Sequence, residues 1–251
     1  MRRKHVLAAV AAVATMAWLV AGGVAQATFP NFSDCPVARS ETTGCVDIQS
    51  VSGSLEIKGF TVPLGESLEI RGGLDISTRP ARFIPPRGTT GFFAKPVRIP
   101  GGILGIEIPI PGNAVNGIAE LAGSPSDIQL EIGFPTTTVS LPVKIHLENP
   151  ILGPFCTIGT NSNPAHINFT TGTTSPPPPN RPITGSIGTP SVNEGVLILN
   201  DSVSVDNSFA IPGASGCGLL GIFNPIVNLK LGLPSAGGNN TMIVHNNVAL
   251  H

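Results

Sequence analysis

Apolar and polar residues alternate along the chain most regularly between residues 139 and 148. One set of alternate positions is apolar and the other is polar, as in a strand with one buried face. The apolar positions are Val139, Leu141, Val143, Ile145 and Leu147. Pro142 lies on the polar set. Because proline donates no hydrogen bond to a neighbouring strand, we expect this strand at a sheet edge, or bulged there.

The stretch from Asp127 to Phe134 alternates in the same way and is joined to Val139 by Pro135 and a run of threonines. Two amphipathic strands with so short a connection predict a hairpin. Short apolar runs separated by glycine after Cys45 predict further strands and tight turns. Met242 to Val248 predicts a terminal strand. The fold class that these patterns predict is all-β, an antiparallel sandwich-like domain.

Three local patterns in this chain support more specific predictions. Asn113 followed by apolar residues at helical spacing predicts one brief helix that Gly123 ends. Val227 to Leu233 alternates and predicts a strand. Asn200 and Asp201 separate two short apolar runs and predict a turn between two strands.

The first residues of the chain have the pattern of a secretory signal peptide. Arg2, Arg3 and Lys4 precede an apolar run from Val6 to Val20, and Ala25-Gln26-Ala27 offers the small-residue cleavage site of such a peptide. We expect residues 1–27 to be removed and residues 28–251 to form a single disulfide-bonded β domain. The run is shorter than the roughly 20 residues that a membrane-spanning helix usually needs. The expected location is extracellular or associated with the cell envelope.

The composition of the remaining chain limits the classes of molecule that it is expected to bind. Without Arg2, Arg3 and Lys4, 11 basic residues face 15 acidic ones, a net charge of −4. This balance argues against a nucleic-acid partner, which a basic surface would recognise. Charged residues make up only 12% of the chain, which suits a large buried core or a surface that meets lipid, cell wall or another copy of the chain.

Four cysteines, Cys35, Cys45, Cys156 and Cys217, remain after residue 27. An even number in an exported chain favours two disulfides, for which three pairings exist. We expect the sequence neighbours Cys35 and Cys45 to pair, and Cys156 to pair with Cys217 across a proline-rich segment at 171–182. That segment should form an exposed, stiff loop.

The strongest apolar excess of the exported chain lies between Arg98 and Asp127. Its residues Ile103 to Ile110 are the candidate contact for an apolar ligand or lipid, although a buried crossover between sheets is the commoner use of such a segment. The candidate residues are Ile103, Leu104, Ile106, Ile108 and Ile110. The nearby Arg79, Arg82 and Arg87 form the most basic local patch, a solvated loop or a small anion site.

The sequence contains no motif that identifies a reaction. Gly213 to Cys217 approaches the nucleophile elbow of hydrolases but ends in cysteine, and His146 and His245 lie on polar strand positions. No spacing of cysteine or histidine suits a metal site, so we expect no metal and no cofactor.

The alanine- and valine-rich leader that opens with Arg2-Arg3-Lys4, followed by a glycine- and proline-rich β chain with four cysteines, resembles uncharacterised secreted proteins of actinobacteria. The resemblance implies no activity. We therefore expect a secreted, non-enzymatic binding or structural protein for an apolar ligand. The alternatives are a lipid or ester hydrolase with a non-standard site, in which Ser215 would lie beside a histidine and a carboxylate, and an oligomeric β protein inserted in a lipid layer.

Overall fold

The computed structural model describes residues 29–103, 105, 108–109 and 111–251, so the signal-peptide prediction over 1–27 lies outside it. The described strands belong to one antiparallel sheet, and the prediction of an all-β, sandwich-like fold is confirmed. The strands are β1 Gly44–Ile57, β2 Phe60–Pro63, β3 Leu68–Asp75, β4 Ala81–Ile84, β5 Phe92–Ala94, β6 Val97–Arg98, β7 Asn116–Leu121, β8 Gln129–Glu131, β9 Thr138–Glu148, β10 Thr157–Ile158, β11 Ala165–Thr170, β12 Thr189–Asn193, β13 Val196–Asp206, β14 Ala214–Ser215 and β15 Asn240–Leu250. The helix α1 spans Asn224–Leu231, and 3-10 turns span Pro125–Asp127 and Leu219–Gly221.

Eight of these strands close into a ring. The strand order β11-β13-β15-β1-β3-β4-β8-β9 returns to its start, because β9 also pairs with β11. Opposite walls of the ring face each other across a shared apolar core, as the alternation of side chains predicts. The contact between β11 and β13 consists of the single pair Thr170 opposite Val205.

Strand β9 joins the two ends of the sheet, and this contradicts the prediction that Pro142 places it at an edge. One side of β9 pairs with β11, and the other pairs first with β8 and then with β7. The pairing with β8 ends at Ser140 and that with β7 begins at Val143. Pro142 therefore lies where the neighbour changes, and its carbonyl accepts from the Ala122 N–H just beyond the end of β7.

The predicted hairpin between Asp127 and Glu148 is present. Strands β8 and β9 pair antiparallel, with Leu130 opposite Val139. Both side chains are buried, and residues directly opposite each other point to the same face of a sheet. The apolar alternation therefore identified the inward face of this wall correctly.

Two predicted segments have the wrong type of secondary structure. The segment expected to be a helix after Asn113 is β7, whose six residues pair with β9 from Asn116 opposite Glu148 to Leu121 opposite Val143. The segment expected to be a strand at 227–233 is largely helix α1. In both segments the spacing of the apolar residues fits a helix as well as a strand. The elements that each segment packs against decided which of the two formed.

The predicted turn at Asn200 and Asp201 is a bulge inside one continuous strand. Strand β13 pairs with β15 on both sides of this point, and the register shifts between Leu199 and Ser202. Asp201 adopts the left-handed region at φ 52°, which aspartate tolerates better than most residues. The bulge lets β13 follow β15 along almost its whole length.

The disulfides join Cys35 to Cys45 and Cys156 to Cys217, which is the pairing that the sequence predicts. Cys156 and Cys217 are completely buried and belong to the core. The first bridge attaches the segment before β1 to its outer face. The second ties the loop after β9 to the segment that leads into α1. Two disulfides indicate an oxidising environment.

The proline-rich segment at 171–182 is held by hydrogen bonds at both ends. At its start the Thr171 N–H donates to the Thr137 carbonyl. Asn180 donates from Nδ2 to the carbonyl oxygens of Asn207 and Asn240. Asn207 in turn donates to the carbonyl of Arg181. Most side chains from 175 to 182 are exposed, so the segment is a surface loop with a fixed backbone path.

Asp47 is the most buried carboxylate of β1, on its outer face. Its Oδ2 accepts hydrogen bonds from the Asn31 N–H at 2.7 Å and from Gln49 Nε2 at 3.1 Å, while its Oδ1 has no partner. Burial raises the pKa of the Asp47 carboxyl above its ordinary value of 3.8, and the hydrogen bond from Asn31 opposes this only in part. The ionised carboxylate therefore destabilises the fold.

We predict that Asp47→Asn gains stability relative to the wild type as the pH rises. Above the unfolded pKa of 3.8 the unfolded chain ionises more readily than the folded one, which costs the wild type stability that the amide does not lose. Thermal unfolding at pH 3 and pH 7 tests this. A difference in Tm between variant and wild type that is the same at both pH values would contradict it.

We predict that Cys156→Ala/Cys217→Ala loses more stability than Cys35→Ala/Cys45→Ala. The sequence separations are 61 and 10 residues, for which the chain-entropy model gives about 4 and about 3 kcal/mol. Urea unfolding of both double variants measures the two losses. An equal or larger loss for the shorter loop would show that chain entropy does not dominate here.

Candidate functional site

The interior of the ring contains an apolar cavity of about 730 Å³. It lies between the wall formed by β13, β15 and β1 and the opposite wall formed by β8, β9 and β11. Each of these six strands contributes inward side chains to it. A cavity of this volume falls within the range that binds small organic ligands, and rings of about eight strands can hold one such molecule.

The strand register explains why the lining is apolar. Residues in register on adjacent strands point to the same face, so each row across the sheet lines the cavity as a unit. The rows are Leu197–Leu250–Val46, Leu199–Val248–Ile48 and Leu130–Val139–Phe169. The bulge at 200–201 keeps the next inward residues, Ser202 and Ser204, in the same wall.

The few polar side chains in the lining already have partners within the protein. Ser202 Oγ donates to the Ser186 carbonyl, and Ser204 Oγ accepts from Asn246 Nδ2. Thr137 Oγ1 donates to the Gly133 carbonyl, and Thr171 Oγ1 accepts from the Thr137 N–H. No charged side chain of the described residues lines the cavity. The arrangement therefore offers contact to apolar groups and little hydrogen bonding.

The rim of the cavity is formed in part by the turn between β8 and β9. Phe134 lies on this turn with 85% of its surface exposed, beside Gly133 in the lining. An adjoining surface groove shares Ile132, Gly133 and Leu250 with the cavity. Arg79 of the predicted basic patch lies in this groove, with His251. The groove also contains Glu131, so the cavity opens near side chains of both charges.

The residues predicted from the sequence as an apolar contact lie elsewhere. Ile103 is half-buried and lines a smaller cavity of about 80 Å³ together with Val227 and Leu231 of α1. Ile108 is also half-buried. Leu104, Ile106 and Ile110 lie outside the described residues. Ile103 therefore lies beside α1 and does not line the large cavity.

Next to this segment the surface carries a group of exposed apolar side chains, which we call the apolar tip. All are at least half exposed, and the three leucines are at least 80% exposed. The tip consists of Ile151, Phe155, Leu219, Leu220, Ile222, Ile226 and Leu229. The disulfide between Cys156 and Cys217 joins the two segments that carry it.

Helix α1 presents an apolar face to the outside because its asparagines point into the fold. Asn224 Oδ1 accepts from the Cys217 N–H, and Asn228 Oδ1 accepts from the Ala214 N–H. Val227 and Leu231 are buried, while Ile226 and Leu229 are exposed. A helix that is apolar on both faces is unusual at a protein surface.

Helix signals at 224–232 could have revealed this element from the sequence. Pro225 lies in the first turn, where proline is favoured, and Gly232 ends the helix in the left-handed region at φ 67°. Lys230 lies in the last turn, as the helix dipole favours. The alternation from Val227 to Leu233 masked these signals. No local sequence pattern could have predicted the large cavity. The cavity depends on which rows of side chains face each other across the ring.

The described residues do not form the hydrolase site that the sequence analysis considered, with Ser215 beside a histidine and a carboxylate. Ser215 pairs with Thr157, which pairs with His146 on the next strand, so serine and histidine are two strand spacings, about 10 Å, apart. His146 Nδ1 lies 3.4 Å from Glu120 and His245 Nδ1 lies 2.7 Å from Asp201. No cluster of metal-binding side chains occurs among the described residues.

Comparisons with known proteins add no functional information: no family model, no curated protein and no solved structure matches the chain. None of the helices in the described residues combines the length and the hydropathy needed to cross a membrane.

We predict that Leu220→Gly stabilises the protein by about 1 kcal/mol. Leu220 adopts the left-handed region at φ 54° and ψ 20° and is 96% exposed, so glycine would relieve backbone strain and lose almost no packing. Urea unfolding measures the change. The matched variant Leu219→Gly, at a neighbour outside that region, should lose stability, and a loss of equal size in both variants would contradict the prediction.

Proposed function

We propose that the protein is a secreted, non-enzymatic binding protein that holds an apolar ligand in the cavity of its ring. The observation that supports this most strongly is the cavity of about 730 Å³, lined by three rows of apolar side chains and by serine and threonine hydroxyls that each have a partner in the protein. The ligand class is a small molecule or chain that is largely hydrocarbon.

An energetic argument supports a ligand in this cavity. The cavity of about 730 Å³ is open to solvent and lined mainly by apolar side chains. Water can enter through the open end, but it finds few hydrogen-bonding partners there. An apolar ligand would displace this water and bury the apolar walls, which is favourable.

The remaining parts of the proposal follow from the sequence and the covalent structure. Two disulfides indicate an oxidising environment, and the leader at 1–27 has the pattern of an export signal. Secretion to the cell envelope or medium accounts for both. A hydrolase is less well supported, because Ser215 lies about 10 Å from His146 and its hydroxyl contacts no histidine.

We predict that Val248→Trp weakens binding of the uncharged fluorescent probe N-phenyl-1-naphthylamine at least tenfold. Val248 lies in the middle of one apolar row, opposite Ile48, and a larger side chain there would occupy space that the probe needs. Thermal unfolding of the variant verifies that it is folded.

The control is Leu219→Ser/Leu229→Ser, which changes the apolar tip and leaves the cavity intact. This variant should bind the probe as the wild type does. If the tip variant lost binding and Val248→Trp kept it, the probe would bind at the tip and the proposed cavity function would be wrong. Absence of probe binding to the wild type stripped of ligand would also contradict the proposal.

A further inference from the structure

The apolar tip lies far from the cavity. Strand β1 runs from Ile48, in the cavity wall, to Ile57, a separation of about 30 Å at the rise of a strand. Just beyond it, Lys58 Nζ donates to the carbonyls of Gly232 and Pro234, which attaches the end of β1 to the segment after α1. Ligand binding in the cavity therefore leaves the exposure of the tip unexplained.

The tip is a rigid surface. Its two segments are joined by the Cys156–Cys217 bridge, and the Gly218 N–H donates to the Leu152 carbonyl at 2.6 Å. The asparagines of α1 fix the helix through main-chain hydrogen bonds. Because the backbone that carries these side chains is already ordered, their burial by a partner costs little backbone conformational entropy.

Leu220 breaks two local rules at once. It is 96% exposed and it adopts the left-handed backbone region at φ 54°, where a glycine or asparagine would be less strained. Such a combination costs stability and has no packing benefit within the chain. Strain retained at an exposed apolar residue is typical of a functional contact.

The chemistry of the tip identifies its partner. Protein interfaces of stable complexes carry about one hydrogen bond per 100–200 Å², yet the seven side chains of the tip offer none. The hydrocarbon of a lipid layer requires none. The chain segments 149–193 and 207–251, which carry the tip, contain no aspartate or glutamate, and Glu148 immediately precedes the first of them. Lys58 lies beside α1, and Lys230 lies in the last turn of α1.

From these observations we infer that the apolar tip inserts into the surface of a lipid layer that carries anionic headgroups. Leu219, Leu220 and Leu229 enter the boundary between headgroups and acyl chains, as the apolar face of an interfacial helix does. Lys58 and Lys230 lie at the height of the phosphate groups. The cavity, at the other end of β1, stays in the aqueous phase.

Flotation with vesicles tests this inference. The purified protein is mixed with vesicles of pure phosphatidylcholine or of equal parts phosphatidylcholine and phosphatidylglycerol, and the bound fraction is measured. We expect binding to the anionic vesicles that falls as salt is added. Leu219→Ser/Leu220→Ser/Leu229→Ser should bind at least tenfold more weakly. Val37→Ser/Val192→Ser is the matched control, since both valines are 74% exposed outside the tip.

The control variant should bind as the wild type does, and the triple variant should keep its affinity for N-phenyl-1-naphthylamine, which separates this inference from the proposed cavity function. Equal flotation of the triple variant and the wild type would overturn the inference. So would absence of flotation of the wild type. A wild type that stays in the aqueous phase as a dimer, together with a monomeric triple variant, would instead assign the tip to self-association.

Discussion

The pairing of β9 with both β8 and β11 is the contact on which the rest of the structure depends. It turns an open antiparallel sheet into a ring and sets the two walls opposite each other. Without this pairing, the apolar rows that contain Leu130 and Val46 would not face each other. Each row would need another apolar surface to be buried. Closure also encloses more volume than these side chains fill, and the cavity is the consequence.

The ring accounts for the distribution of polar groups as well. Outside the cavity the chain places buried polar residues where main-chain groups satisfy them, as with Asn180 and Asn228. Inside the cavity it places serines and threonines that are bonded to their neighbours. Asp47 Oδ1 is one of six buried side-chain polar atoms of the described residues that have no hydrogen-bond partner. The interior therefore presents mainly apolar side chains to a ligand, while hydrogen bonds within the protein fix the strands and loops that carry them.

Much of the fold could be predicted from the sequence, because alternation reports which face of a strand is buried. The β8–β9 hairpin and both disulfides follow from local patterns and spacing. The prediction that Pro142 places β9 at a sheet edge was wrong. The sequence does not show that β9 exchanges its neighbour β8 for β7 at this residue. Short segments such as 116–121 and 224–231 fit two periods, and only their partners decide. The cavity depends on contacts between rows distant in sequence, so no local pattern reports it.

The most direct test of the account is native mass spectrometry of the protein purified without detergent from its own host, followed by solvent extraction and identification of what was bound. The account predicts one apolar molecule per chain, released together with the unfolding of the ring. A protein that arrives bare, with no apolar compound in the extract and no uptake of one when it is offered, would contradict it. The cavity would then be a solvated space between two walls.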